Sequence, residues 1–204
     1  MHLFIVTGSS RGLGAALARA LAQPGHVVLG MARRSLPGLP AEQWELDLAE
    51  PLPAAQRLQT WLAEHTGWAS ATLINNAALL SPPGPLAGTA LADLSAALRV
   101  GLEAPALLTR AFLAGTSGVP QRRLLNISSG LGRRAMAGSA SYCAVKAGLD
   151  HLSRALALEE PGVAVESLAP GVIDTDMQQQ LRGADPGRFT EQARFQGLKD
   201  AGQL

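Results

Sequence analysis

The chain has 204 residues, 47% of them hydrophobic, and a formal net charge of +1. That apolar content can bury one core, and the even mix of charges offers no nucleic-acid surface. No apolar run reaches the ~18 residues of a membrane span, and the chain starts directly on a strand-like segment, so no signal peptide is expected.

Short apolar runs alternate with helical patterns along the chain. Leu3–Thr7 reads as a strand, Gly12–Ala22 as a helix and His26–Ala32 as a second strand. Pro37–Pro40 reads as a loop. Gln43–Leu46 is a weak third strand, Pro53–His65 a helix and Ala71–Asn75 a fourth strand. Pro82–Gly88 is loop-like, and a long helix is expected from about Ala90 to Ala114. Arg123–Ser128 reads as a fifth strand, Tyr142–Glu159 as an Ala- and Leu-rich helix and Val163–Leu168 as a sixth strand. Continuous apolar strands separated by helices predict a parallel sheet covered on both faces. The expected architecture is a doubly wound, Rossmann-like α/β domain spanning 1–204, with 176–204 as the segment that lines or covers the substrate pocket. The single cysteine, Cys143, permits no internal disulfide and fits a reducing, cytoplasmic compartment. It is read as a small helix residue, not as a nucleophile. No metal-ligand set is assigned.

Three features carry chemistry. The first strand runs into Thr7-Gly8-Ser9-Ser10-Arg11-Gly12-Leu13-Gly14. A glycine-rich turn between a first strand and a first helix lets backbone approach a pyrophosphate, which then meets the N–H groups at the helix start. The plain alternative is a tight turn with packing glycines. A phosphate-loop motif is excluded, because no lysine follows the last glycine. The second strand ends in Gly30-Met31-Ala32-Arg33-Arg34. An acid there would bind a ribose 2′-hydroxyl, whereas arginine accommodates a 2′-phosphate. Arg33, with Arg11 in the glycine turn, therefore favours NADP(H) over NAD(H). Third, the chain's only tyrosine, Tyr142, stands four residues before Lys146, one of only two lysines among 17 basic residues. On a helix that spacing shares a face. A neighbouring ammonium is expected to lower the phenol's pKa, fitting it to act as a general acid or base. A plain surface pair is the alternative reading.

With these residues in view, the chain resembles the classical short-chain dehydrogenase/reductase family across essentially its whole length. The spacing of Gly8, Gly12 and Gly14 is similar to that family's glycine pattern. Asp47 matches the acid that contacts adenine, Asn75-Asn76-Ala77-Ala78 the segment ending the fourth strand, and Ser129 the active-site serine thirteen residues before the tyrosine. Pro170-Gly171-Val172-Ile173-Asp174-Thr175 resembles the segment that grips the nicotinamide end. The Ser141–Lys146 stretch looks most like the sepiapterin- and benzil-reductase branch.

The resemblance implies reduction of a carbonyl, or oxidation of a secondary alcohol, by NADP(H). Ser129 would orient the carbonyl oxygen, Tyr142 would exchange the proton and Lys146 would hold the nicotinamide ribose. Gly8, Ser10, Arg11, Gly12, Leu13, Gly14, Arg33, Asp47, Asn76, Ala77, Pro170, Gly171, Val172 and Thr175 would complete the cofactor site. Ser128 competes with Ser129, but adjacent strand residues point oppositely, so one of them faces the site. There are three departures. Ala78 replaces a usual glycine. Gly101 replaces a helix asparagine that holds a relay water. The sequence ends before the family's last strand. A weakly catalytic nucleotide sensor or scaffold is therefore the competing reading. A homodimer is expected through the long helix and the Tyr142 helix, with Leu102, Leu107, Leu149 and Leu156 on the apolar surface.

Overall fold

A computed structural model describes residues 1–203; Leu204, the last residue of the expected 1–204 and 176–204 spans, lies outside the described residues. Six strands form one parallel sheet: β1 (His2–Thr7), β2 (His26–Ala32), β3 (Glu42–Glu45), β4 (Ser70–Asn75), β5 (Gln121–Ile127) and β6 (Val163–Leu168). Their order is β3-β2-β1-β4-β5-β6. The chain winds one way from β1 to β3, then returns past β1 and winds the other way from β4 to β6. The reversal leaves a crevice beyond the C-terminal ends of β1 and β4, where open α/β sheets place their ligands.

The helices are α1 (Gly12–Leu21), α2 (Pro51–Glu64), α3 (Leu91–Leu98), α4 (Ala104–Gly115), α5 (Ala140–Glu159), α6 (Asp176–Arg182) and α7 (Gln192–Asp200). On one face, Leu58, Trp61 and Leu62 of α2, Leu108 and Phe112 of α4 and Leu156 of α5 close over Leu3, Ile5, Leu29, Leu73 and Leu124. On the other, α1 lays Leu13 and Leu17 against Val6, Ile74 and Ile127. The two-sided cover fails at the β6 edge. There Ala164, Glu166 and Leu168 are exposed, so this strand alternates where a continuous buried run was expected.

The long helix expected from Ala90 to Ala114 is interrupted. A π-helical segment, Arg99–Glu103, joins α3 to α4, and such wide turns commonly mark functional sites. The segment packs against α5, and a Cβ on Gly101 would lie 2.4 Å from Val145 Cγ1. The chain therefore needs glycine here to let two helices touch. The asparagine expected from the family pattern has no room in this packing.

A buried polar ladder crosses the middle of the sheet. Asn75 Nδ2 donates to Asn126 Oδ1 (2.8 Å) and to Thr109 Oγ1 (3.3 Å). Asn126 Nδ2 donates to Ser153 Oγ (2.8 Å), which donates to the Leu149 carbonyl (2.8 Å). It ties β4 to β5, and β5 to the helix that carries Tyr142.

Candidate active site

The glycine turn is shaped by backbone conformation and by close approach. Gly8 and Gly12 have φ of +68° and +53°, a region that side chains disfavour. A Cβ on Gly14 would lie 2.2 Å from the Gly8 carbonyl oxygen. Asn76 holds the turn from β4, its Nδ2 donating to the Thr7 and Gly8 carbonyls (2.9 and 3.3 Å). Thr7 Oγ1 in return accepts from the backbone N–H groups of Asn76 and Ala77, both at 3.0 Å. That buried hydroxyl was passed over in the sequence, where Thr7 reads only as the end of a strand. The start of α1 has no side-chain cap, so its free N–H groups are available to an anion. The bare backbone of Gly8, Gly12 and Gly14 and the uncapped helix fit a dinucleotide pyrophosphate.

One cleft of about 1230 Å³ runs from this turn across the crevice. Every predicted site residue lines it: Gly8, Ser10, Arg11, Gly12, Leu13, Gly14, Arg33, Asp47, Asn76, Ala77, Ser129, Tyr142, Lys146, Pro170, Gly171, Val172 and Thr175. Arg33 and Arg34 are exposed at the end of β2. Arg11 is not free, because its guanidinium forms an ion pair with Asp176 at the start of α6. The glycine turn and the segment after β6 thus meet over the cleft.

At the opposite end, Ser129 follows β5 and its hydroxyl accepts from the Leu131 N–H (3.2 Å). The Ser129 hydroxyl also acts on Tyr142, favouring its phenolate. Ser128 is buried, with no partner for its Oγ among the described residues. Lys146 is buried on the same face of α5 as Tyr142, its Nζ 5.5 Å from the centre of the phenol ring. The ammonium donates to the Ile127 carbonyl at 2.6 Å. Burial pulls the Lys146 pKa down to about 8, and the Asp150 carboxylate opposes that fall.

The expectation that Lys146 lowers the tyrosine's pKa is corrected here. Burial raises the Tyr142 pKa, with the Ser129 hydroxyl pulling the other way and Cys143 adding to the rise. Desolvation of the phenolate is the largest cause, and the neighbouring ammonium is directed at a backbone carbonyl. The expected apolar surface is corrected too. Leu149 and Leu156 are buried within the chain, Leu149 being 1% exposed, and Leu102 packs over Gly148.

Beyond Tyr142 the cleft walls are apolar. Leu80, Met136, Leu181 and Phe195 line it and, with the fully buried Phe189, form a separate cluster against which Leu131, Met177 and Leu198 pack. Most of these residues come from the region after Thr175, whose pattern carried no readable geometry.

A Rossmann-like crevice with an anion-accepting glycine turn and a Ser–Tyr–Lys group across it defines a dinucleotide-dependent oxidoreductase. The family model for short chain dehydrogenase matches residues 2–186, and the chain belongs to that family. It is 33% identical to benzil reductase ((S)-benzoin forming) of Bacillus subtilis, over all of this chain and 88% of the relative. It is 35% identical to sepiapterin reductase of Rattus norvegicus, over 98% of this chain and 84% of the relative. A metagenomic short-chain oxidoreductase solved in complex with NADP superposes with a TM-score of 0.76 at 34% identity, over 84% of this chain and 82% of that one. No helix among the described residues is long and apolar enough to cross a membrane.

Proposed function

We propose that the protein is an NADP(H)-dependent carbonyl reductase that uses Tyr142 as its acid. The observation that carries this is the convergence of Ser129, Tyr142 and Lys146 in one cleft with the glycine turn. When bound, the dinucleotide supplies the hydride. Ser129 donates to the substrate carbonyl oxygen and fixes its direction. Tyr142 delivers the proton to the oxygen as negative charge develops there. A pKa held up by burial keeps the phenol protonated at neutral pH and suits it to donate. Lys146 is placed to turn from the Ile127 carbonyl to the cofactor's ribose and to the phenolate that remains.

Arg33, beside the adenosine end, selects the 2′-phosphate, joined by Arg11 once its pairing with Asp176 opens. Asp47 lines the adenine end of the cleft. Pro170, Gly171, Val172 and Thr175 line its nicotinamide end. The segment 176–203 forms the substrate wall, and its Met and Phe side chains suit an apolar carbonyl compound. The names of the benzil and sepiapterin reductases support the same reaction class. The reading includes a cytoplasmic homodimer. Leu91 and Leu98 on α3 and Leu158 on α5 are exposed apolar residues of the helices it would use, and light scattering at micromolar concentration tests it. NADPH consumption with a panel of diketones, activated ketones and quinones tests the function. A chain that binds NADPH yet reduces none of them would instead fit the sensor or scaffold reading.

A further inference from the structure

Asp150 lies one turn beyond Lys146 on α5 and takes no part in the reaction as described so far. It is 6% exposed. Its Oδ1 accepts from Ser167 Oγ on β6 at 2.5 Å, while its Oδ2 has no hydrogen-bond partner among the described residues. A buried carboxylate oxygen without a partner is costly to the fold, so something else must favour an anion here. Oδ2 faces the turn Gly130–Gly132, which follows Ser129. A Cβ on Gly132 would lie 2.7 Å from Oδ2 and 3.0 Å from the Lys146 carbonyl. The turn carries glycine where the carboxylate presses against it.

We propose that Asp150 is a positioning residue of the reaction. Its carboxylate is the counter-charge that keeps Lys146 an ammonium, and it seats the Ser129 turn against α5. The charged and titratable groups around the pair are few. Tyr142 faces Lys146 from the same helix. Arg133, just after the turn, brings Nε to 3.9 Å from Asp150 Oδ2 and is 62% exposed. β5 offers the Ile127 carbonyl, β6 offers the Ser167 hydroxyl, and Arg154, one turn further along α5, is exposed. From α3 and the π-helical segment packed on α5, Asp93, Arg99 and Glu103 are not buried, and Asp150 is the one carboxylate buried among the described residues. An ammonium buried beside a phenol loses its proton to desolvation unless an anion opposes this, and Asp150 opposes it.

The inference rests on the proposed function for its consequence, but its physical content is tested without turnover. The chain has two lysines, Lys146 and Lys199, so protein labelled with ¹³C at lysine Cε shows two resonances, and Lys199→Arg assigns them. In Asp150→Asn the Lys146 titration midpoint should fall by about one pH unit or more, whereas Ser167→Ala should leave it near the wild-type value. Arg133→Gln removes a cation from beside Asp150 and should move the midpoint up. A midpoint unchanged in Asp150→Asn overturns the proposal. Should that variant not fold, the exposed Arg133→Gln decides, and no upward movement overturns it. In the turnover assay, the alkaline limb of kcat/KM should move to lower pH in Asp150→Asn. Wild-type protein that reduces no carbonyl would refute the proposed function and leave the NMR result standing.

Discussion

Gly101→Ala sets two effects of opposite sign against each other. In a helix, alanine is favoured over glycine by up to ~1 kcal/mol, so propensity alone predicts a more stable protein. Contact predicts the reverse. The new Cβ would lie 2.4 Å from Val145 Cγ1, with Val145 Cγ2 at 3.4 Å. Val145 is 2% exposed and β-branched, so it has little freedom to rotate away on a helix. Forcing a methyl into such a contact costs ~1–3 kcal/mol. Set against the propensity gain, this leaves a net loss of up to ~2 kcal/mol, or a fall in Tm of up to roughly 8 °C for a chain of this size. Val145→Ala alone removes two buried methyl groups and should cost ~2 kcal/mol. The double variant should recover part of both losses, with a coupling energy of at least ~1 kcal/mol. Chemical denaturation of the four proteins measures the cycle. Losses that simply add in the double variant would refute the close packing of the π-helical segment on α5.

Tyr142→Phe should keep the fold and NADPH binding and lower turnover by ~10²–10⁴-fold in steady-state assays; a rate above about a tenth of wild type would remove Tyr142 as the acid. Arg33→Ala should reduce the preference for NADPH over NADH by about tenfold in fluorescence titrations at fixed salt, chiefly by weakening NADPH. Because burial holds the Lys146 pKa down at about 8, the stability of the cofactor-free protein should rise with pH above that value, a rise that Lys146→Met should abolish. The sign follows from proton counts. Between about pH 8 and the ordinary lysine value, the unfolded wild-type chain holds the proton that the folded one has lost. Wild-type stability therefore rises with pH in that window, and the variant, which lacks the titrating group, should not follow it. Thermal melts at pH 7 and pH 10 check this.

Much of the architecture was legible because strands buried on both faces leave an unbroken apolar signature, as Ala71–Asn75 does. The glycine turn and the Tyr142–Lys146 pair were legible because their chemistry depends on fixed local spacing. What escaped reading depends on contacts between distant segments. The third strand is displaced by one residue because only Trp44 in it is buried, leaving little pattern to set its ends. The break at Arg99–Glu103 sets Gly101 against Val145, over forty positions away. The raised Tyr142 pKa arises from burial that spacing does not reveal. Asp150 looked like an ordinary helix residue until Ser167 and Gly132 were seen around it. Gly101 motivated a non-catalytic reading when it stood as a missing side chain; seen against Val145, it is a packing choice.

The ladder from Asn75 through Asn126 to Ser153 bears on how far this scaffold can be redesigned. Each of its amides faces a partner only if β4, β5 and α5 keep their present offsets. A slip of one residue between the strands would turn one amide to the opposite face and leave a buried polar group unpaired. The ladder therefore acts as an alignment key, indexing the helix that presents Tyr142 to the strand that presents Ser129. Segments beyond Thr175 lie outside its reach. Under the proposed function, substrate preference could be remodelled there, in Met177, Phe195 and their neighbours, without disturbing the register that aligns Ser129 with Tyr142.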